Sequence, residues 1–301
     1  MKIRSLKALE DRFRHHRDRL LGRSLFNSGL SAKAFYRSMG VRGDIVIRRF
    51  SDHSMALDPA DHVIGWRILN DGAWQRDELL NAIGYARRKG ALNPGGCFLD
   101  VGANIGSQTV YALLTGEFSN ALAIEPVPGN VELLSLNIHL NKMSGRAIAV
   151  ESAAGSETGT LTLSVSGHNS GGHSSRITHT DATPVEVPVA RLDDILQASN
   201  IAAGDVSFVW IDAEGAEPDI LFGMDDILAT APPMVIEWNA GLYSPSEIQA
   251  VTTKLAEHYV TCVDIDRLDE DGEDPSIPIE GLAMMPNHAD VLCLPERSSQ
   301  D

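Results

Sequence analysis

The sequence predicts an α/β fold: a mostly parallel, doubly wound sheet with helices on both faces and an inserted β-hairpin. Three observations predict it. Between residues 97 and 266, short apolar runs of strand length alternate with runs of helical pattern. The first of these runs ends in a glycine-bearing turn that opens directly into a helix. Residues 156–190 break the rhythm with two alternating stretches around a Gly/Ser/His-rich tract, which marks an insertion between the third and fourth core strands.

The elements follow in order. In residues 1–23, Ile3, Leu6, Leu9, Phe13 and Leu20 fall on one face of a helix that carries eight basic and three acidic groups. Its apolar stripe is thin for a membrane surface, so a helix docked on its own domain or on a second copy is favoured over one that touches a membrane surface or a partner. Residues 44–50 alternate like a short strand, and 77–90 read as a helix stopped at Gly90. Residues 1–95 thus form a mixed N-terminal extension, and 96–301 the main domain. In that domain 97–103 is a buried strand, 105–116 a helix, 121–126 a strand stopped by Pro126, and 131–142 a helix. Residues 147–155 begin as the third strand. Residues 159–166 and 184–189 pair as the inserted hairpin. Strands at 208–215 and 234–239 flank a helix at 218–230. A helix at 246–259 and strands at 260–266 and 289–295 complete the pattern.

Composition removes several classes. Apolar residues are 43% and charged residues 22%, which suits a globular chain and not a disordered or fibrous one. Lys and Arg number 25 against 41 Asp and Glu, a net charge of −16. A body of that sign repels phosphate backbones, so no nucleic-acid partner is expected. Aromatics at 6% are too few for a base-stacking platform. No apolar run reaches the ~18 residues of a transmembrane segment, and the charged N-terminus lacks a signal-peptide core. Cys97, Cys262 and Cys293 are too few for a disulfide framework and contain no CxxC. They read as small buried core residues of a cytoplasmic protein.

The sharpest local signal is Asp100-Val-Gly102-Ala103-Asn104-Ile-Gly106. In a doubly wound sheet, ligands bind beyond the carboxyl ends of the strands. Gly102 lets the backbone approach a ligand, and Asn104 tolerates a left-handed turn and can cap the helix. Glu125, at the end of the next strand, suits the two ribose hydroxyls of a nucleoside cofactor. The loop is not GxGxxG, so the dinucleotide fingerprint fails, and no P-loop is present. S-adenosylmethionine has no phosphates and carries a cation, which fits an acidic site better.

Several blocks share a resemblance. FLDVGANIGSQTV, AIEPVPGNVELLSLNIHLN, GTLTLSVSGHNSGGHSS, RLDDIL, FVWIDAEGAEPDILFGM and MVIEWN occur in that order. Together they resemble the FkbM family of S-adenosylmethionine-dependent methyltransferases, from about residue 97 to 240. The resemblance implies a Rossmann-like class I methyltransferase fold with a seven-stranded sheet, and 96–301 as its catalytic domain. It implies activity on a hydroxyl of a carbohydrate or natural-product-like small molecule. It also implies that the turn Ser152, Ala153 and Ala154 packs on the adenine, a plain tight turn being the other reading of those residues. Pro126, next to Glu125, is a further cofactor-binding candidate. Residues 1–40 carry no family signal, and Trp210 stands where the family often has Lys.

On the acceptor side, Asp212, Glu214 and Glu217 follow one strand and Glu237 ends another. An alcohol becomes a good nucleophile only as its proton leaves, which calls for a general base. Clustered carboxylates raise one another's pKa, so Asp212 or Glu214 can serve, with Glu237 beside them. A divalent metal held by these groups is the less favoured reading, and Glu217 can instead serve as a helix-end charge. The loop 168–180 adds His173 as a second candidate base, with His168, His179, Asn169, Ser174, Ser175 and Arg176. Its glycines suggest a segment that folds over the acceptor. Two other readings stay open: a nicotinamide-dependent oxidoreductase, and a non-catalytic scaffold that binds the cofactor without turnover.

Overall fold

The computed structural model describes residues 29–41, 43–165, 176, 183–268, 274–285 and 288–296. The N-terminal helix read at residues 1–23 lies outside them. So do His168, Asn169, His173, Ser174, Ser175 and His179.

Helix α1 (Gly29–Gly40) leads to a hairpin, β1 (Val46–Arg49) and β2 (Ser54–Leu57), then to α2 (Ile64–Asp71) and α3 (Arg76–Arg88). The alternating core follows: β3 (Cys97–Val101), α4 (Ser107–Leu114), β4 (Asn120–Glu125), α5 (Pro128–Leu140) and β5 (Ala147–Glu151). The insertion supplies β6 (Ala153–Gly155), β7 (Gly159–Val165) and β8 (Thr183–Arg191). The rest is α6 (Leu192–Ala198), β9 (Val206–Ile211), α7 (Glu217–Leu221), α8 (Asp225–Thr230), β10 (Met234–Trp238), α9 (Pro245–Ala256), β11 (Thr261–Asp264), β12 (Ile277–Pro278) and β13 (Ala289–Leu294).

The main sheet runs β12-β11-β13-β10-β9-β3-β4-β5. The pairs from β10 through β9, β3 and β4 to β5 are all parallel. β13 is antiparallel to both β10 and β11. The seven expected strands are present, and the two-residue β12 adds a short edge. This is a Rossmann-like sheet whose order reverses beside β3, the place where ligands bind in such folds.

Side-chain alternation divides the core in two. Phe98, Phe208, Trp210, Val235 and Leu292 face one cluster, and Leu99, Val209, Ile211, Ile236 and Val291 face the other. The first cluster also takes Met55, Leu57, Ile68, Leu79 and Ala82, so the segment before β3 covers one face of the sheet. Asn137 of α5 and Asn141, which caps the same helix, stitch it in place. Asn137 Oδ1 accepts from the Ala56 amide at 2.6 Å, and its Nδ2 donates to the Ile105 carbonyl at 2.8 Å. Asn141 exchanges bonds of 2.9 and 2.8 Å with the Ser54 backbone. These bonds satisfy backbone groups on the edge of β2 that would otherwise be buried without partners.

Two elements differ from expectation. Residues 147–155 do not form one strand: the chain leaves the main sheet after Glu151, and β6 joins β8 in a second sheet. Buried Ser152 marks the switch, its hydroxyl donating to the Ala153 carbonyl at 2.8 Å. Residues 218–230 are two helices rather than one. The break holds Gly223, where a Cβ would overlap the Gly155 carbonyl. The expected hairpin is present in full register, from Gly159 opposite Val189 to Val165 opposite Thr183. Cys97, Cys262 and Cys293 are buried free thiols. Among the described residues no helix is long and apolar enough to cross a membrane.

Candidate active site

The turn after β3 is built from three left-handed residues: Gly102 at φ 82°, Asn104 at φ 51° and Gly106 at φ 84°. Gly102 must lack a side chain, because a Cβ there would collide with the Asp212 carbonyl oxygen. A Cβ on Gly106 would strike Leu134 of α5 at 2.5 Å. Asn104 Oδ1 accepts from the Ile105 amide at 2.7 Å, which helps hold its own strained turn. The turn brings the start of α4 to the mouth of the sheet.

Glu125 is buried at the end of β4. Its Oε2 accepts from the Asn104 amide at 2.9 Å, and its Oε1 from the Val127 amide at 2.9 Å and Asn130 Nδ2 at 3.2 Å. Burial pushes its carboxyl up to about 7, against those bonds. A carboxylate oxygen accepts two bonds, so Oε2 keeps capacity for a hydroxyl donor.

A slot of about 70 Å³ runs beside Glu125, lined by Pro126, Ser152, Ala153, Leu161 and Ile220. Small residues and apolar walls next to a carboxylate suit an adenosine group, flat on one side and rich in hydroxyls on the other. The slot shares Gly102, Asn104, Asp212 and Glu214 with a larger cavity of about 550 Å³. The other expected cofactor residues shape the loop instead of lining either space. Asp100 is buried and its Oδ2 accepts from Thr109 Oγ1 at 2.5 Å, tying β3 to α4. Ala103 is in the core, and Gly106 packs on Leu134. None of the three lines the slot or the cavity.

Asp212, Glu214 and Glu237 meet in the larger cavity, each offering an oxygen within 4.8 Å of the others. Burial raises Glu214 to about 7, with the charge of Glu217 adding to it. Asp212 and Glu237 are raised as well, by burial first and by the surrounding carboxylates second. Such a cluster holds protons at neutral pH. Three oxygens at this spacing also have the hard donor chemistry of a divalent cation site.

Glu217 stands apart from that work. It is fully buried, and it accepts from the Ala213 amide at 2.9 Å and from Tyr243 Oη at 2.5 Å. It thereby closes the turn that carries Glu214, whose own φ is 50°. Arg176, expected in the acceptor loop, ion-pairs with Glu247 at 2.7 Å and Asp219 at 3.3 Å, and its guanidinium lies over the Tyr243 ring. These contacts tie Arg176 to α7 and α9.

Sequence reasoning missed one wall of the cavity. Trp74 and Gln75 come from the α2–α3 connection and Arg76 opens α3, and Gln75 bridges Gln108 at 3.0 Å to Asp290 at 3.2 Å. Gln75 has φ 49°, a left-handed backbone uncommon for a glutamine. His288, just before β13, lies 3.7 Å from Glu237. No spacing pattern links these residues to the glycine loop. The one local hint was a Trp and Arg cluster in a segment otherwise read as mixed. Trp210 is buried in the first core cluster and reaches the cavity.

The fold and this site define a Rossmann-like protein whose glycine-bearing loop and buried Glu125 adjoin a carboxylate cluster. A model of the methyltransferase FkbM domain matches residues 100–262. That is more than half of the chain, and the chain belongs to the FkbM methyltransferase domain family. Methyltransferase 1 of Beauveria bassiana is 30% identical over 149 residues, 42% of this chain and 58% of that protein. Hexuronic acid methyltransferase AglP of Haloferax volcanii is 25% identical over 174 residues, 57% of this chain and 66% of that protein. The chain therefore spans less than two thirds of the length of either relative. A solved FkbM methyltransferase from Methylobacillus flagellatus superposes with TM-score 0.42 at 16% identity, over 66% of this chain and 43% of that one. An O-methyltransferase from Bacillus cereus in complex with SAH gives 0.40 at 10%, over 74% and 82%.

Proposed function

We propose that this chain is an S-adenosylmethionine-dependent O-methyltransferase that acts on a hydroxyl of a carbohydrate or a similarly polar small molecule. The observation that carries the reading is the meeting of Asp212, Glu214 and Glu237 in a cavity that opens onto the Gly102 and Glu125 loop. The name of the Haloferax relative, a hexuronic acid methyltransferase, favours a sugar acceptor.

The cofactor, when bound, supplies an already activated methyl group. Glu125 would accept from the ribose hydroxyls, and Ser152 and Ala153 would leave room for the ring. The carboxylates would receive the acceptor's hydroxyl proton as the new O–C bond forms and the methyl's bond to sulfur breaks, with S-adenosylhomocysteine as the neutral leaving group. Their raised pKa values suit that role near neutral pH, where the cluster has both protons and vacant oxygens. His173 is a further candidate for the same proton. The cavity walls would orient the acceptor and limit water.

Titration calorimetry with S-adenosylmethionine and, separately, with NAD⁺ tests the reading. Binding of S-adenosylmethionine that is lost in Glu125→Ala supports it. An acceptor screen with methyl-labelled cofactor follows, with Asp212→Asn as control. Tight NAD⁺ binding without a response to S-adenosylmethionine overturns it in favour of an oxidoreductase. Activity removed by EDTA and restored by Mg²⁺ would convert the carboxylates from proton holders to metal ligands.

A further inference from the structure

Two arginines line the larger cavity, and they differ in one respect. Arg76 is neutralised: its Nη2 lies 2.5 Å from Asp52 Oδ2, and Asp52 is held in turn by His53 Nδ1 at 2.7 Å. Its guanidinium also covers the Tyr111 ring at 5.0 Å. Arg67 has no ion-pair partner among the described residues. Asp71, one turn along the same helix and in the same cavity wall, is at the spacing that usually pairs with it. Asp71 Oδ1 instead accepts from Asn70 Nδ2 at 2.5 Å. The Arg67 guanidinium lies over the Trp74 ring, 5.7 Å from its centroid, a contact that uses none of its N–H donors.

The rest of the cavity is acidic, with Asp77 and Glu78 added to Asp71 and the three clustered carboxylates. An anion is repelled from such a space except where an unpaired guanidinium stands. A guanidinium with a free fork matches a carboxylate in two parallel hydrogen bonds.

We propose that Arg67, backed by Trp74, is a carboxylate-binding subsite in the cavity wall. The assignment rests on the methyltransferase reading. Two ligands of that reaction can bring a carboxylate there: the methionine end of the cofactor, or an acidic sugar acceptor. Both use the same chemistry, a planar anion on a planar cation.

The full chain and its Arg67→Gln variant are titrated with two ligand pairs. One pair is S-adenosylmethionine and decarboxylated S-adenosylmethionine. The other is glucuronate and glucose, added to protein saturated with S-adenosylhomocysteine. Arg67 is exposed, so the variant is expected to fold, and circular dichroism confirms it. A loss of about tenfold or more for S-adenosylmethionine, with none for its decarboxylated form, assigns the subsite to the cofactor. The same selective loss for glucuronate against glucose assigns it to the acceptor. Equal losses within each pair, or no loss in either, overturn the subsite. If the unaltered chain binds S-adenosylmethionine in a Glu125-dependent way and Arg67→Gln shows no selectivity, only the subsite fails. If the unaltered chain does not bind it at all, the methyltransferase reading fails and takes the subsite with it.

Discussion

Gly102 and Asp212 meet backbone to backbone, with the Asp212 carbonyl oxygen in the space that any side chain on Gly102 would need. The Asp212 amide also donates to the Val101 carbonyl at 3.0 Å, so the ends of β3 and β9 are fixed to one another. The loop after β3 and the carboxylate cluster are therefore held to one another. Gly102→Ala must displace Asp212 and also hold alanine at φ 82°, a conformation costing about 1–2 kcal/mol by itself. A lower Tm together with loss of S-adenosylmethionine binding is expected. An unchanged affinity would show that the two segments move independently.

Glu125→Gln keeps size and removes an acceptor. One end of the amide becomes an NH2 group facing a backbone amide donor, either of Asn104 or of Val127. Mispairing a buried polar group costs about 1–3 kcal/mol. Folding stability should fall by that amount in urea unfolding, and affinity for S-adenosylhomocysteine should fall as well, because the ribose hydroxyls lose a charged acceptor. Calorimetry reads that affinity directly.

The raised carboxyls set the sign of the pH dependence. Glu214 holds its proton up to about 7, and Asp212 and Glu237 are shifted the same way, whereas unfolded carboxyls lose theirs near ~4. The folded chain thus binds more protons between those values. The stability from these groups is full below ~4 and is lost as pH rises through about 7. Thermal melts of ligand-free protein from pH 5 to 8 should show Tm falling with pH, and falling less in Glu237→Gln. An equal slope in both would remove Glu237 from the account.

A cation placed beside these carboxyls favours their charged forms and lowers their pKa. Binding of S-adenosylmethionine near neutral pH should therefore release protons, and binding of uncharged-sulfur S-adenosylhomocysteine should release fewer. Calorimetry in phosphate and in Tris separates the two, because the buffers differ in ionisation enthalpy.

Asn137→Leu leaves the Ala56 amide and the Ile105 carbonyl buried without their partners. The expected loss is on the order of 3 kcal/mol, read by urea unfolding. Cofactor affinity should fall as well, because Ile105 belongs to the loop after β3.

Residues 97–125 were readable because their requirements are local. Gly102 and Asn104 need left-handed backbone, and apolar runs of strand length must be buried. The wall formed by Arg67, Trp74 and Gln75 was not readable. Those residues reach the cavity only because Ile64, Ile68 and Leu79 anchor their helices in the first core cluster. The break at Gly223 escaped for a related reason: the Gly155 backbone that dictates it is distant in sequence. Glu217 carries a motif position yet serves the turn, a distinction visible only in its bonds to Ala213 and Tyr243.

The position of β13 bears on how the protein comes to be made. It lies between β10 and β11, both of which are synthesised before it. While a ribosome is still translating the segment between β11 and β13, each of those strands has an edge with no neighbour. Exposed strand edges invite pairing with other chains. His288 and Asp290 arrive with β13, so the nascent chain has neither a sealed sheet nor a finished cavity until that strand emerges. Premature termination before residue 289 should yield an aggregating product rather than a weakened enzyme.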